Sequence, residues 1–150
     1  MSNALELLYE RLTKKEEEAR SIYMLALQEQ RNFEKQLDAL NNYRSIYSSE
    51  LVDKGMKGGM TTSTYSHFTS FINRLDNISA EQLQGFYKIK EETAKKLAFY
   101  KEIEAKRKGL EMLIEKRRLQ KMVLQNKQEQ KMSDDLSTNS YFQKKLNNEQ

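Results

Sequence analysis

From Leu5 to Leu51, and again from Phe68 to Leu124, bulky apolar residues return every three or four positions. The two runs are separated by one break, KGMKGGMTTSTY at residues 54–65, which holds three of the chain's five glycines, and no proline interrupts either run. Periodicity of this length without a helix breaker leaves few outcomes. Two long helices, each carrying one narrow apolar stripe, must be joined where glycine lets the chain reverse. The expected fold is all-α, a long antiparallel two-helix coiled-coil hairpin with a glycine-containing tip.

The first arm shows how the stripe is built. One heptad position (Leu5, Leu12, Ala19, Ala26, Phe33, Leu40, Tyr47) is apolar throughout, as expected of a helix buried along a single seam. The second position, counted three residues further on, reads Leu8, Lys15, Ile22, Glu29, Gln36, Tyr43, and Tyr9, Tyr23, Leu37 and Leu51 lie one residue beyond it. A stripe that drifts in this way predicts loose, gently twisted packing.

The second arm begins after TTST, whose hydroxyls suit a helix N-cap. Its interior glycines, Gly85 and Gly109, should each cost up to about 1 kcal/mol relative to alanine and mark points of bending or close approach. Reversal at the glycines pairs residues whose numbers add to roughly 116. Tyr47 then lies near Phe68 and Phe71, Leu40 near Leu75, and Leu5 near residue 111. The hairpin is expected over 1–132, with arms about 4–54 and 62–132 and a turn about 55–61. The polar, aperiodic segment 133–150 is expected to be a flexible tail.

Composition removes other classes. With 32% charged residues and a mean hydropathy of -0.89, the chain is too polar for a large globular core and suits exposed helix. The absence of cysteine excludes disulfides and cysteine-ligated zinc. No apolar run approaches the roughly 18 to 20 residues that span a bilayer, and MSNALELLYERLTKKEEE carries acids where a signal peptide is basic and then apolar, so a cytosolic chain is expected.

Catalytic chemistry has little to draw on. His67 is the single histidine and has neither a cysteine nor a second histidine to work with, so a solvent-exposed turn residue is the expectation. GMKGGMTT follows a helix and lacks the phosphate-loop spacing. Glu16, Glu17, Glu91 and Glu92 read as solvated faces with lysine neighbours. Neither an enzyme, a metal site nor a cofactor is expected. The net charge of +4 and the KRK and EKRRLQK segments suit phosphate contacts, but glutamates alternate with the bases and no nucleic-acid motif occurs, so nucleic acid is not the expected partner. Nor is direct membrane insertion expected.

The ordered set LDALNNYRSIYSSEL, GMKGGMTT, YSHFTSFINRL and LEMLIEKRR resembles the flagellar export protein FliJ family over nearly the whole chain, most closely between residues 36 and 82. The resemblance implies a non-enzymatic component of flagellar type III protein export, similar in shape to the central stalk of rotary ATPases. It also implies three kinds of partner: the hexameric flagellar export ATPase (FliI), which the protein binds and stimulates, the export gate protein FlhA, and export chaperones. The expected location is the cytoplasm, peripherally associated with the inner-membrane export apparatus, and the expected free state is a monomer. A stalk protein of a virulence-type secretion system and a generic structural coiled coil are the alternative readings.

Aligned on the motif, the family's gate-binding positions fall on Gln36, Leu40, Tyr43 and Tyr47 of the first arm and on Phe71, Leu75, Ile78 and Gln82 of the second. The four first-arm residues also lie on the apolar stripe and fit equally as core. The chain departs from the family at Gln82, where a basic or aromatic residue is common. For the ATPase, the basic stretch of the second arm supplies Lys106, Arg107, Lys108, Lys116, Arg117, Arg118 and Lys121, with Leu110, Leu113 and Ile114 as apolar contacts. A solvated charged face is the competing reading of each base.

Overall fold

The computed structural model describes residues 2–149. Helix α1 runs Ser2–Met56 and helix α2 runs Thr62–Glu149, with no strand among the described residues. The two helices pack against one another as a helical hairpin. Their reversal takes place where the glycines are: Gly58 and Gly59 have φ of 146° and 84°, a region that side chains with a Cβ rarely adopt. Thr61 then caps α2. Its Oγ1 accepts a hydrogen bond from the Thr64 amide at 3.2 Å, and its carbonyl accepts one from the Tyr65 amide at 3.0 Å. The hydroxyl cap expected from TTST is therefore made by the first threonine of that run.

The chain forms two compact units, Lys14–Glu104 and Met1–Thr13 with Ala105–Gln150. In the first, aromatic rings meet one another across the helices near the turn, and small side chains meet further along. Tyr47 packs on Phe71 with ring centroids 4.5 Å apart and on Phe68 at 6.2 Å, as expected. Phe33 stacks with Phe86 at 6.4 Å, and the buried Thr93 leans its Oγ1 to 3.4 Å from the Ala26 carbonyl while donating to the Ile89 carbonyl at 2.8 Å. The residue numbers of Phe33–Phe86 and Ala26–Thr93 both add to 119. The arms thus sit about three residues from the register that the turn alone suggested, with the ring of Phe33 lying against Gly85.

The seam itself differs from the drifting stripe. On α1 the shielded second positions are Tyr9, Glu16, Tyr23, Gln30, Leu37 and Leu51, whereas Leu8, Lys15, Ile22, Glu29, Gln36 and Tyr43 are all exposed. A regular alternation of four and three residues replaces the expected three and four from Leu5 to Leu51, and exposed Arg44 occupies the one position of that series that is not shielded. On α2 the same alternation runs through Leu75, Ser79, Gln82, Phe86 and Ile89 to Leu110 and Ile114, all shielded. Apolar residues at adjacent positions, such as Leu8 beside Tyr9 and Ile22 beside Tyr23, leave the choice to the facing helix.

A seam between only two helices buries little. Ala19, Ala26, Leu37, Leu75, Ile103 and Leu110 are its buried apolar residues, and the others stay partly wet. In the terminal unit, Leu5, Tyr9 and Leu12 are half-buried alongside Leu110 and Ile114, and every described residue of α2 beyond Ile114 is exposed. Helix α2 nevertheless continues past Met132, where a tail was expected, to Glu149. With no proline in the chain and no glycine after Gly109, nothing in the sequence breaks it. Loss of apolar periodicity marks the loss of a packing partner and not the end of the helix.

Candidate docking surfaces

The eight residues aligned with gate binding all fall in the unit Lys14–Glu104, and the structure divides them by depth. Tyr43, at 56% exposure, stands off the seam with its ring 5.6 Å from that of Tyr47. Tyr47 is half-buried because it packs on Phe68 and Phe71. Leu75, at 7% exposure, is buried in the seam. Gln36 and Ile78 are exposed, while Leu40, Phe71 and Gln82 are half-buried. The continuous aromatic part is therefore Tyr43, Tyr47 and Phe71, in which one ring is presented to solvent and the others hold it in place. Such rigid, part-exposed tyrosines carry large contact area at low entropic cost.

Two features beside this patch were not singled out from the sequence. Arg44 forms a bidentate ion pair with Asp76 across the helices, Nε to Oδ1 and Nη2 to Oδ2, the latter at 3.4 Å. The hydrogen bond and the charge of Asp76 raise the Arg44 pKa above its ordinary value. Nearer the turn, Lys54 places its ammonium 5.0 Å from the centre of the Phe68 ring, within range of a cation–π contact. The signal for the first in the sequence was weak, since Arg44 lies one residue beyond the second heptad position, which Tyr43 occupies.

The second set lies in the terminal unit, and here too the residues separate. Leu110 is buried and Ile114 half-buried, so both hold the helices together, whereas Leu113 is 40% exposed. Arg107 reaches Glu111 at 2.8 Å, and Arg118 clasps Glu115 through Nε at 3.1 Å and Nη2 at 2.8 Å. That clasp holds the Glu115 carboxyl below its usual range, and the carboxylate in turn raises the Arg118 pKa, hydrogen bonding being the larger cause in both. Lys116, Arg117 and Lys121 have no ion-pair partner among the described residues. They are the bases with charge to offer a partner.

An open groove of about 900 Å³ adjoins them, lined by Glu6 and Tyr9 of α1 and by Met112, Ile114, Glu115, Lys116 and Leu119 of α2, among others. Met112 and Leu119 supply apolar lining, and Met122 and Val123 follow on α2 as further exposed apolar residues. The first-arm contribution of Glu6 and Tyr9 was invisible in the basic motif, because it depends on which α1 residues face α2. His67 is exposed and sits within α2 and not in the turn. No group of three or more His, Cys, Asp or Glu side chains among the described residues is arranged to hold a metal, and none of the helices is long and apolar enough to cross a membrane.

A family model described as flagellar FliJ protein matches residues 1–146. No curated protein and no solved structure gives a significant match.

Proposed function

The chain belongs to the flagellar FliJ family of type III export components, and from that premise we propose that it couples the hexameric export ATPase to the export gate through two separate helical surfaces. Arg117, Lys116 and Lys121, with the apolar groove beside them, meet the ATPase ring and stimulate it in the manner of a central stalk. Tyr43, carried on Tyr47 and Phe71, docks on the gate protein. Export chaperones are escorted by the same molecule, which acts in the cytoplasm at the inner-membrane export apparatus and performs no reaction of its own.

The observation that supports this reading best is the exposure of α2 beyond Ile114. A helix on which Lys116, Arg117 and Lys121 have no ion-pair partner among the described residues, and on which apolar side chains stay exposed, is suited to an external partner. The test is a pull-down of the same organism's export ATPase and gate protein. Tyr43→Ala should lose the gate and retain the ATPase, and Arg117→Glu with Arg118→Glu should do the reverse, with lowered ATPase stimulation and unchanged circular dichroism. Full stimulation by the charge-reversed protein at low salt would reject the ATPase assignment. A chain that sediments as a stable dimer and binds neither partner would be a structural coiled coil.

A further inference from the structure

The seam is apolar at most positions near the turn, yet Arg44 stands where its four-and-three spacing, Leu37, Leu40, Arg44, Tyr47, Leu51, calls for another apolar side chain. It is the sole base between Lys35 and Lys54, and Asp76 is the sole acid between Thr61 and Ala80. The structure brings these two isolated charges together across the helices. We propose that the Arg44–Asp76 pair is a register lock, a positioning device that selects one alignment of the arms and so presents Tyr43 while seating Tyr47 on Phe71.

Such a lock has work to do because the other restraints are permissive. Gly55, Gly58 and Gly59 offer more than one place for the chain to turn. A slip of one heptad puts apolar residues of the seam opposite apolar residues again, and leucines and phenylalanines do not discriminate strongly between such alignments. A slip does separate the one base from the one acid, by about 10 Å for seven residues at 1.5 Å each. It also puts Thr69 or Leu83, seven residues to either side, in the place that Asp76 holds opposite Arg44. A polar group at a single seam position is an established means of choosing register at little gain in stability. An exposed pair contributes little on its own, so its effect lies in the discrimination between alignments.

The presentation of Tyr43 to a partner rests on the proposed gate docking, whereas the lock is measured independently. The chain has no cysteine, so spin labels at Asn41→Cys and Asn77→Cys report the alignment of the two exposed positions within one molecule. In the parent protein a single narrow distance is expected. Arg44→Gln and Asp76→Asn should each add a second population displaced by about 10 Å, and weaken gate binding about three- to tenfold. The exchanged protein, Arg44→Asp with Asp76→Arg, should restore both the single distance and the binding. Far-ultraviolet circular dichroism establishes that each variant remains helical. One unshifted distance in both neutralised variants overturns the lock. If gate binding falls while the distance stays put, the pair touches the partner directly and the lock is likewise overturned. A parent protein that never binds the gate removes the docking assignment, and the distances still decide the register.

Discussion

The ring of Phe33 lies over the bare backbone of Gly85, so close that a Cβ on that glycine would stand 3.2 Å from Cζ of the ring. The other interior glycine of α2, Gly109, has nothing within 4 Å of the same point. Two glycines that look alike in the sequence thus have opposite roles. Gly109→Ala should stabilise the fold by up to about 1 kcal/mol through helix propensity alone. Gly85→Ala gains the same propensity but must displace Phe33, and should fall about 1 kcal/mol or more below Gly109→Ala in urea denaturation. Equal stability of the two variants would show that the ring moves freely.

Ser79 provides a second test of the seam. Its Oγ is buried with no hydrogen-bond partner among the described residues, at a position between Leu75 and Gln82 in the four-and-three spacing. An unsatisfied buried hydroxyl costs about 1 kcal/mol or more, and alanine is also the better helix former. Ser79→Ala is expected to raise the denaturation midpoint by the equivalent of about 1 kcal/mol, and a lowered midpoint would place an unseen partner on that oxygen.

Tyr43 and Tyr47 should separate function from stability. Removal of the exposed Tyr43 ring leaves the contacts among Tyr47, Phe68 and Phe71 in place, so Tyr43→Ala should change stability by no more than about 0.5 kcal/mol. Tyr47→Ala deletes the ring at the centre of that cluster and should cost about 2 kcal/mol, less than a fully buried aromatic because Tyr47 is half-exposed. Both should weaken gate binding, which makes Tyr43→Ala the clean docking variant. Thermal melts beside the pull-downs distinguish the two effects.

The Glu115–Arg118 clasp makes a prediction about pH. Because Arg118 depresses the Glu115 carboxyl in the folded chain, the clasp is fully made above the ordinary glutamate pKa and is lost as pH falls through the depressed value. Carboxyl NMR titration should place Glu115 below the ordinary glutamate pKa, and Arg118→Gln should raise it back toward that value. The contribution to stability should be small, since both side chains are more than half exposed. A Glu115 titration that ignores the substitution would mean that the clasp does not persist in solution.

Much of the molecule was legible in its residues. The glycines placed the turn, since Gly58 and Gly59 adopt φ values that other residues rarely reach, and the threonines after them placed the start of α2. The absence of proline made long helices the only economical structure. The tyrosines and phenylalanines that meet near the turn were also predictable, because a reversal pairing residues whose numbers add to roughly 116 brings Tyr47 to Phe68 and Phe71.

What the amino-acid order alone determined is local: helix, turn, cap, and the general side of each arm that is apolar. Which of two neighbouring side chains enters the seam, Leu8 or Tyr9, Gln36 or Leu37, was decided only when the second helix lay against the first, because spacings of three-and-four and four-and-three are equally helical and differ only in the face they turn to a partner. The same reason separates Tyr43, presented to solvent, from Leu40 and Tyr47, held against α2. It also explains α2 beyond Ile114, where periodicity ended and the helix did not: backbone hydrogen bonds need no neighbour, but an apolar stripe does.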